Sequence, residues 1–178
     1  MDRELSEKVC SFYDETGHVL REYDDQKKNQ IMVKYHFLPD EECDFSPIAM
    51  SEKGDWIDLY TAENVSMYVG DFALISLGIS MQLPEGYEAH VVPRSSTFKN
   101  WGILQANSIG IIDSTYCGDN DVWRFPAYAT RNVEIPVGTR LCQFRIVPTM
   151  RSEVGEIEFL PVEHLGDEDR GGFGSTGV

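Results

Sequence analysis

The chain has 178 residues, enough for one domain with a buried core, and at 42% hydrophobic and 11% aromatic it is too apolar to be intrinsically disordered. Thirty acidic against 15 basic side chains leave a formal charge of −15, which argues against binding nucleic acid through the overall field. No apolar run approaches the roughly 20 residues of a membrane helix, and the start, MDRELSEKVC, lacks the apolar stretch of a secretory signal. Cys10, Cys43, Cys117 and Cys142 lie far apart with no CxxC pair. They read as reduced thiols of a cytoplasmic protein, without a zinc site.

Residues 1–30 read as an N-terminal extension, helical or partly disordered. Leu5, Val9 and Phe12 recur at helical spacing, and Val19, Leu20 and Tyr23 continue the pattern after Gly17. From Ile31 the period becomes two: Val33, Tyr35 and Phe37 alternate with Lys34 and His36, the pattern of a half-buried strand. Val65–Val69, Phe72–Ile79, Tyr87–Val92 and Arg140–Val147 are further runs rich in β-branched and aromatic residues. Pro84, Gly86, Pro93, Pro126, Pro136 and Gly138 punctuate them. Many short strands with regular breaks predict an all-β sandwich, jelly roll or barrel over residues 31–165, and the absence of an alternating helix pattern disfavours a doubly wound α/β fold. Residues 166–178 form a glycine-rich C-terminal segment. The aromatic segment 119–131, DNDVWRFPAYATR, reads as core or subunit packing rather than ligand contact. His18, His36, His90 and His164 read as structural or exposed.

Charge is unevenly spread. Residues 38–71 carry nine acids and one base, whereas residues 72–150 carry six of each, and five of those bases are arginines. A neutral middle in an acidic chain is where an anionic small ligand would sit; acidic flanks that only confer solubility are the plainer alternative.

Four segments there and beyond carry chemistry. Pro93-Arg94-Ser95-Ser96 offers a guanidinium fork and two hydroxyls suited to phosphate, although most such turns are only turns. In Asn107-Ser108-Ile109-Gly110-Ile111-Ile112-Asp113-Ser114-Thr115-Tyr116 an apolar stretch ends in a carboxylate, with an aromatic three residues on. Such a carboxylate can accept a proton from water while the tyrosine stacks on a sugar or base; an ordinary Asp-Ser turn is the alternative. Gly138-Thr139-Arg140-Leu141-Cys142-Gln143-Phe144 reads as a strand with Arg140 and Gln143 at polar positions. Arg170-Gly171-Gly172-Phe173-Gly174-Ser175-Thr176-Gly177 reads as a lid with free backbone N–H groups, or as a flexible end.

The order and spacing of these segments, with Trp56-Ile57-Asp58-Leu59 before them, resemble the five motifs of the trimeric all-β dUTP nucleotidohydrolases (dUTPases), from about Gly54 to Val178. The resemblance implies a jelly roll with an active site shared between three subunits, and hydrolysis of dUTP to dUMP and pyrophosphate with Mg²⁺. It implies that Asp113 orients and deprotonates the water attacking the α-phosphorus, and that Tyr116 packs under the deoxyribose. Asn107 and the backbone after it as far as Ile112 would read uracil. Arg94, Ser95, Ser96 and Gln143 would hold the phosphates, and Asp58 would position a hydrated Mg²⁺. Phe173 would stack over uracil, with Arg170, Ser175 and Thr176 near the γ-phosphate. Three positions depart from the family pattern: Trp56 and Ser96 stand where glycine is usual, and Arg170 lies only three residues before Phe173.

Two alternatives compete. A dCTP deaminase of the same fold would need a carboxylate near position 117, where Cys117 stands, and an arginine shortly after Arg-Ser-Ser, where Thr97, Phe98 and Lys99 follow. A non-catalytic regulator would bind nucleotide on this scaffold and signal through residues 1–30 or the aromatic segment.

Overall fold

A computed structural model describes residues 31–38, 48, 50 and 54–161, together with the backbone of 10–13 and 19–23. Its strands are short because turn residues interrupt every apolar run, and every pairing among the described residues is antiparallel. The predicted all-β class holds.

The N-terminal extension differs from the expected helix. β1 (Cys10–Tyr13) and β2 (Val19–Tyr23) pair antiparallel, with Cys10 opposite Tyr23. Each piece is far shorter than the ~12–15 residues an isolated helix needs, and Phe12, Tyr13, Val19 and Tyr23 are aromatic or β-branched, so pairing wins over helical spacing.

β3 (Lys34–Phe37) is a strand, as its period-two pattern predicts, and pairs with β7 (Ile79–Gln82); of the expected inward residues Val33 and Phe37 pack against the core, while Tyr35 is exposed. β5 (Val65–Met67) pairs with β12 (Val133–Ile135). The run expected as one strand over 72–79 is split. β6 (Phe72–Ser76) ends before Gly78, whose φ of 64° turns the chain so that β6 and β7 join different sheets. β6, β11 (Arg124–Ala129) and β9 (Ile103–Gln105) form a three-stranded sheet in the order β6-β11-β9. Aromatic segment 119–131 supplies this sheet and the core, with Trp123 and Phe125 fully buried. Trp123 meets Phe144 edge-on at 5.3 Å between ring centroids, a geometry rings favour over flat stacking.

The sheet that positions the site has the order β10-β8-β13-β4, from β10 (Gly110–Asp113), β8 (Tyr87–Pro93), β13 (Arg140–Pro148) and β4 (Ile57–Tyr60). Side chains alternate across a strand, so its register sorts residues between two faces. Leu59, Phe144, Val91, Ala89 and Ile112 face the core. Asp58, Gln143, Val92, Arg145, His90, Glu88, Ile111 and Asp113 share the opposite face.

Two short helices interrupt the strands. α1 (Thr97–Trp101) follows the Arg-Ser-Ser turn and stops at Gly102, whose left-handed φ of 65° lets its N–H reach the Phe98 carbonyl at 2.8 Å. α2 (Met150–Val154) is capped by Thr149, whose hydroxyl accepts from the Ser152 N–H. Among the described residues no helix is long and apolar enough to cross a membrane.

Candidate active site

The β8–β13–β4 ladder gathers one group of candidates. Asp58 on β4 lies opposite Gln143 on β13, which lies opposite Val92 on β8, and Arg94 follows where β8 ends. Arg94 Nε donates to Asp58 Oδ1 at 2.8 Å, and Arg140 Nη1 stands 3.4 Å from Asp58 Oδ2. With Nε spent on Asp58, the two terminal nitrogens of Arg94 form a fork free to meet an anion. Arg140 was not among the expected site residues; its place opposite an acidic strand was legible only once the register was known.

The turn behind Arg94 is tied from below. Thr97 Oγ1, fully buried, donates to the Leu141 carbonyl at 2.6 Å, and the Thr97 N–H donates to the Arg94 carbonyl at 3.0 Å. Ser96 precedes α1 without its hydroxyl capping the helix, so that hydroxyl is unspent, and Ser95 is exposed beside it. Far behind the turn, Arg131 donates to the carbonyls of Lys99 and Asn100 at 3.1 and 2.5 Å, closing the last turn of α1. Its stem runs so close to Gly102 that a β-carbon there would lie 2.7 Å from Arg131 Cγ.

Asp113 lies elsewhere on the same face. It ends β10, an edge strand, opposite Glu88. Its Oδ1 accepts from Thr115 Oγ1 at 2.5 Å and from the Thr115 N–H at 2.7 Å. The hydroxyl bond first, and then the backbone bond, hold the carboxyl below the ordinary carboxylate range. Oδ2 has no hydrogen bond to a described residue and is open to solvent. Tyr116 is half exposed, its hydroxyl 3.3 Å from the Val122 carbonyl. Glu88, the cross-strand neighbour, is turned toward His90 at 2.7 Å. Arg94 lies six positions after Glu88, about 20 Å at strand rise, longer than a triphosphate chain. Within one chain the backbones of Asp113 and Arg94 thus stand at opposite ends of this face.

Asn107 sits at the exposed tip between β9 and β10. The Ile109 N–H bonds the Asn107 carbonyl at 2.6 Å around Ser108, whose φ of 63° is positive. A residue with a side chain is strained there, and such strain gathers at functional sites. Ile112 turns its side chain toward the core, so any ligand contact there belongs to the backbone of the edge strand.

Trp56, where glycine was expected, carries the Arg145 guanidinium 5.0 Å from its ring centroid. Burial first, and then the nearby Asp58 charge, push the Cys142 thiol far up, so it is no nucleophile. Cys117 is exposed and supplies no carboxylate for deamination. Among the described residues no three His, Cys, Asp or Glu side chains converge as a metal cluster. Asp58, a carboxylate with an arginine at each oxygen, would hold Mg²⁺ through the ion's water shell rather than directly. Arg170, Phe173, Ser175 and Thr176 lie outside the described residues.

The dUTPase family model matches residues 50–177. The chain is 56% identical over 127 residues to the SPbeta prophage-derived deoxyuridine 5'-triphosphate nucleotidohydrolase YosS of Bacillus subtilis (strain 168), covering 71% of this chain and 87% of that protein. It is 37% identical over 122 residues to the deoxyuridine 5'-triphosphate nucleotidohydrolase of Leifsonia xyli subsp. xyli (strain CTCB07), covering 67% and 77%. Its fold is similar to a Staphylococcus bacteriophage 80alpha dUTPase solved with dUpNHpp, at TM-score 0.64 and 20% identity, over 83% of this chain and 99% of that one.

Proposed function

The chain belongs to the dUTPase family and hydrolyses dUTP, and from that premise we propose how its residues divide the work. Asp113 takes a proton from the water that attacks the α-phosphorus, yielding dUMP and pyrophosphate. The observation that carries this reading is the state of its carboxyl group: Oδ1 fixed by Thr115, Oδ2 unbonded, the whole ionised at neutral pH. A fixed, ionised carboxylate with one open oxygen is the geometry a general base needs. The low basicity of the isolated group rises when a phosphate and a neighbouring chain cover it, because burial and nearby negative charge both favour the protonated form.

Arg94, oriented by Asp58, takes the phosphate chain with Ser95, Ser96 and Gln143. Tyr116 packs against the deoxyribose. Asn107 and the edge backbone through Ile112 read the base, and Phe173, Arg170, Ser175 and Thr176 of the tail close over it. Mg²⁺, when bound through Asp58 and the phosphates, supplies charge neutralisation on the leaving group. The protein acts in the cytoplasm, which suits the unpaired Cys117 and Cys142.

The separation of Asp113 from Arg94 supports a site completed by another copy of the chain, in a homotrimer. The three-stranded sheet supports the same reading. Phe72, Leu74, Leu104 and Tyr128 stand exposed on its outer side, brought together by the register of β6, β11 and β9. A contiguous apolar face of this kind is suited to packing against copies.

Mixing two inactive variants tests the arrangement. Asp113→Asn and Arg94→Ala, unfolded together and refolded, should regain part of the pyrophosphate release, because some sites then take both intact residues from different chains. No recovery, with the mixed oligomer formed, would refute the shared site.

A further inference from the structure

Gln105 closes β9 and is nine-tenths buried. Its carboxamide crosses to the neighbouring sheet. Nε2 donates to the Val91 carbonyl at 3.1 Å and to Asn107 Oδ1 at 2.9 Å, while Oε1 has no partner among the described residues. A backbone carbonyl can only accept, so the nitrogen end of Gln105 must face Val91. The same nitrogen then obliges Asn107 to turn its oxygen inward. What remains outward on Asn107 is an NH₂ group, a donor. Gly110 keeps the passage open: a β-carbon there would lie 3.3 Å from Val91 Cβ and 3.6 Å from Gln105 Nε2.

We propose that Gln105 is a positioning residue that fixes the polarity of the Asn107 carboxamide, so that the site selects a pyrimidine with a carbonyl at position 4 over one with an amino group there. The proposal rests on the reading of Asn107 as a base-contacting residue. A donor presented to a carbonyl forms a hydrogen bond; presented to an amino group, it leaves two donors facing each other, and such polar mismatches discriminate strongly. Gln105 itself touches neither substrate nor reacting atoms.

The test measures pyrophosphate release from dUTP and dCTP by the full-length protein and its Gln105→Met, Gln105→Glu and Asn107→Ala variants. Gln105→Met keeps size and removes the lock. It should raise KM for dUTP and lower the dUTP-to-dCTP ratio of kcat/KM by ~10-fold, the loss of about one well-placed hydrogen bond, with kcat for dUTP little changed. Gln105→Glu can only accept from Asn107, turning its oxygen outward, and should shift the ratio further toward dCTP. If Gln105→Met leaves the ratio intact while Asn107→Ala collapses it, Gln105 merely fills space and the proposal fails. If both nucleotides lose kcat/KM equally, the role is structural and the proposal again fails. An unchanged ratio in Asn107→Ala removes the reading of Asn107 and this proposal with it.

Discussion

The two ends of the outer sheet face are built differently. At the Asp58 end a half-buried carboxylate, two arginines and a tethered turn complete one another within a single chain. At the Asp113 end an exposed carboxylate on an edge strand bonds, among the described residues, to Thr115 of its own turn. On the division of work proposed above, the half assigned to the phosphates is preorganised within one chain, while the half assigned to hydrolysis is only aimed. Binding and chemistry should accordingly respond to substitution in separable ways.

The largest effect should come from Asp113→Asn, which keeps shape and removes the base. We expect kcat to fall by ~10²–10⁴-fold with KM for dUTP nearly unchanged, measured as pyrophosphate release. A rate near that of the parent protein would break the comparison at its catalytic end. Asp58→Asn should act at the other end, freeing Arg94 to wander. KM for dUTP should rise by ~10-fold, and thermal unfolding should shift by less than the equivalent of ~1 kcal/mol, since partly exposed ion pairs contribute little. A fall in kcat alone would show that the two ends are not separable.

The smallest effect should come from Thr115→Val. The hydroxyl bond that depresses the Asp113 carboxyl is lost and the backbone bond stays, so the pKa rises toward its ordinary value. A base works only when deprotonated, so the acid limb of the pH–rate profile should move to higher pH, with the rate at neutral pH unchanged. The stability linkage has the matching sign. A carboxyl depressed in the folded state favours folding above its unfolded pKa, and that contribution fades as pH falls through the folded value. An acid limb that stays in place would show that Thr115 does not tune Asp113.

β8 and β13 were readable from their β-branched and aromatic residues, and β3 from its alternation, although Tyr35 on it stays exposed. The N-terminal strand pair was not, because spacing in so short a segment is compatible with either period and pairing decides. The split between β6 and β7 hid in the apolar run, since Gly78 reverses the chain without altering hydrophobicity. Asp58, Arg94, Asn107 and Asp113 announced themselves by residue type at their spacing. Arg140, Thr115 and Gln105 did not. Arg140 and Gln105 are placed by register and by groups remote in the chain, while the Thr115 bond to Asp113 depends on how their shared turn folds.

Gly102 is not among the residues assigned to the nucleotide, but it is the space through which Arg131 reaches the end of α1. A larger side chain there would both strain a left-handed backbone and displace the guanidinium. The short helix would then lose its brace, and the hydroxyls at its opposite tip would drift. Screens that score only ligand-lining positions would pass over this glycine, and stabilising redesigns that replace glycines by rote would blunt the enzyme from behind.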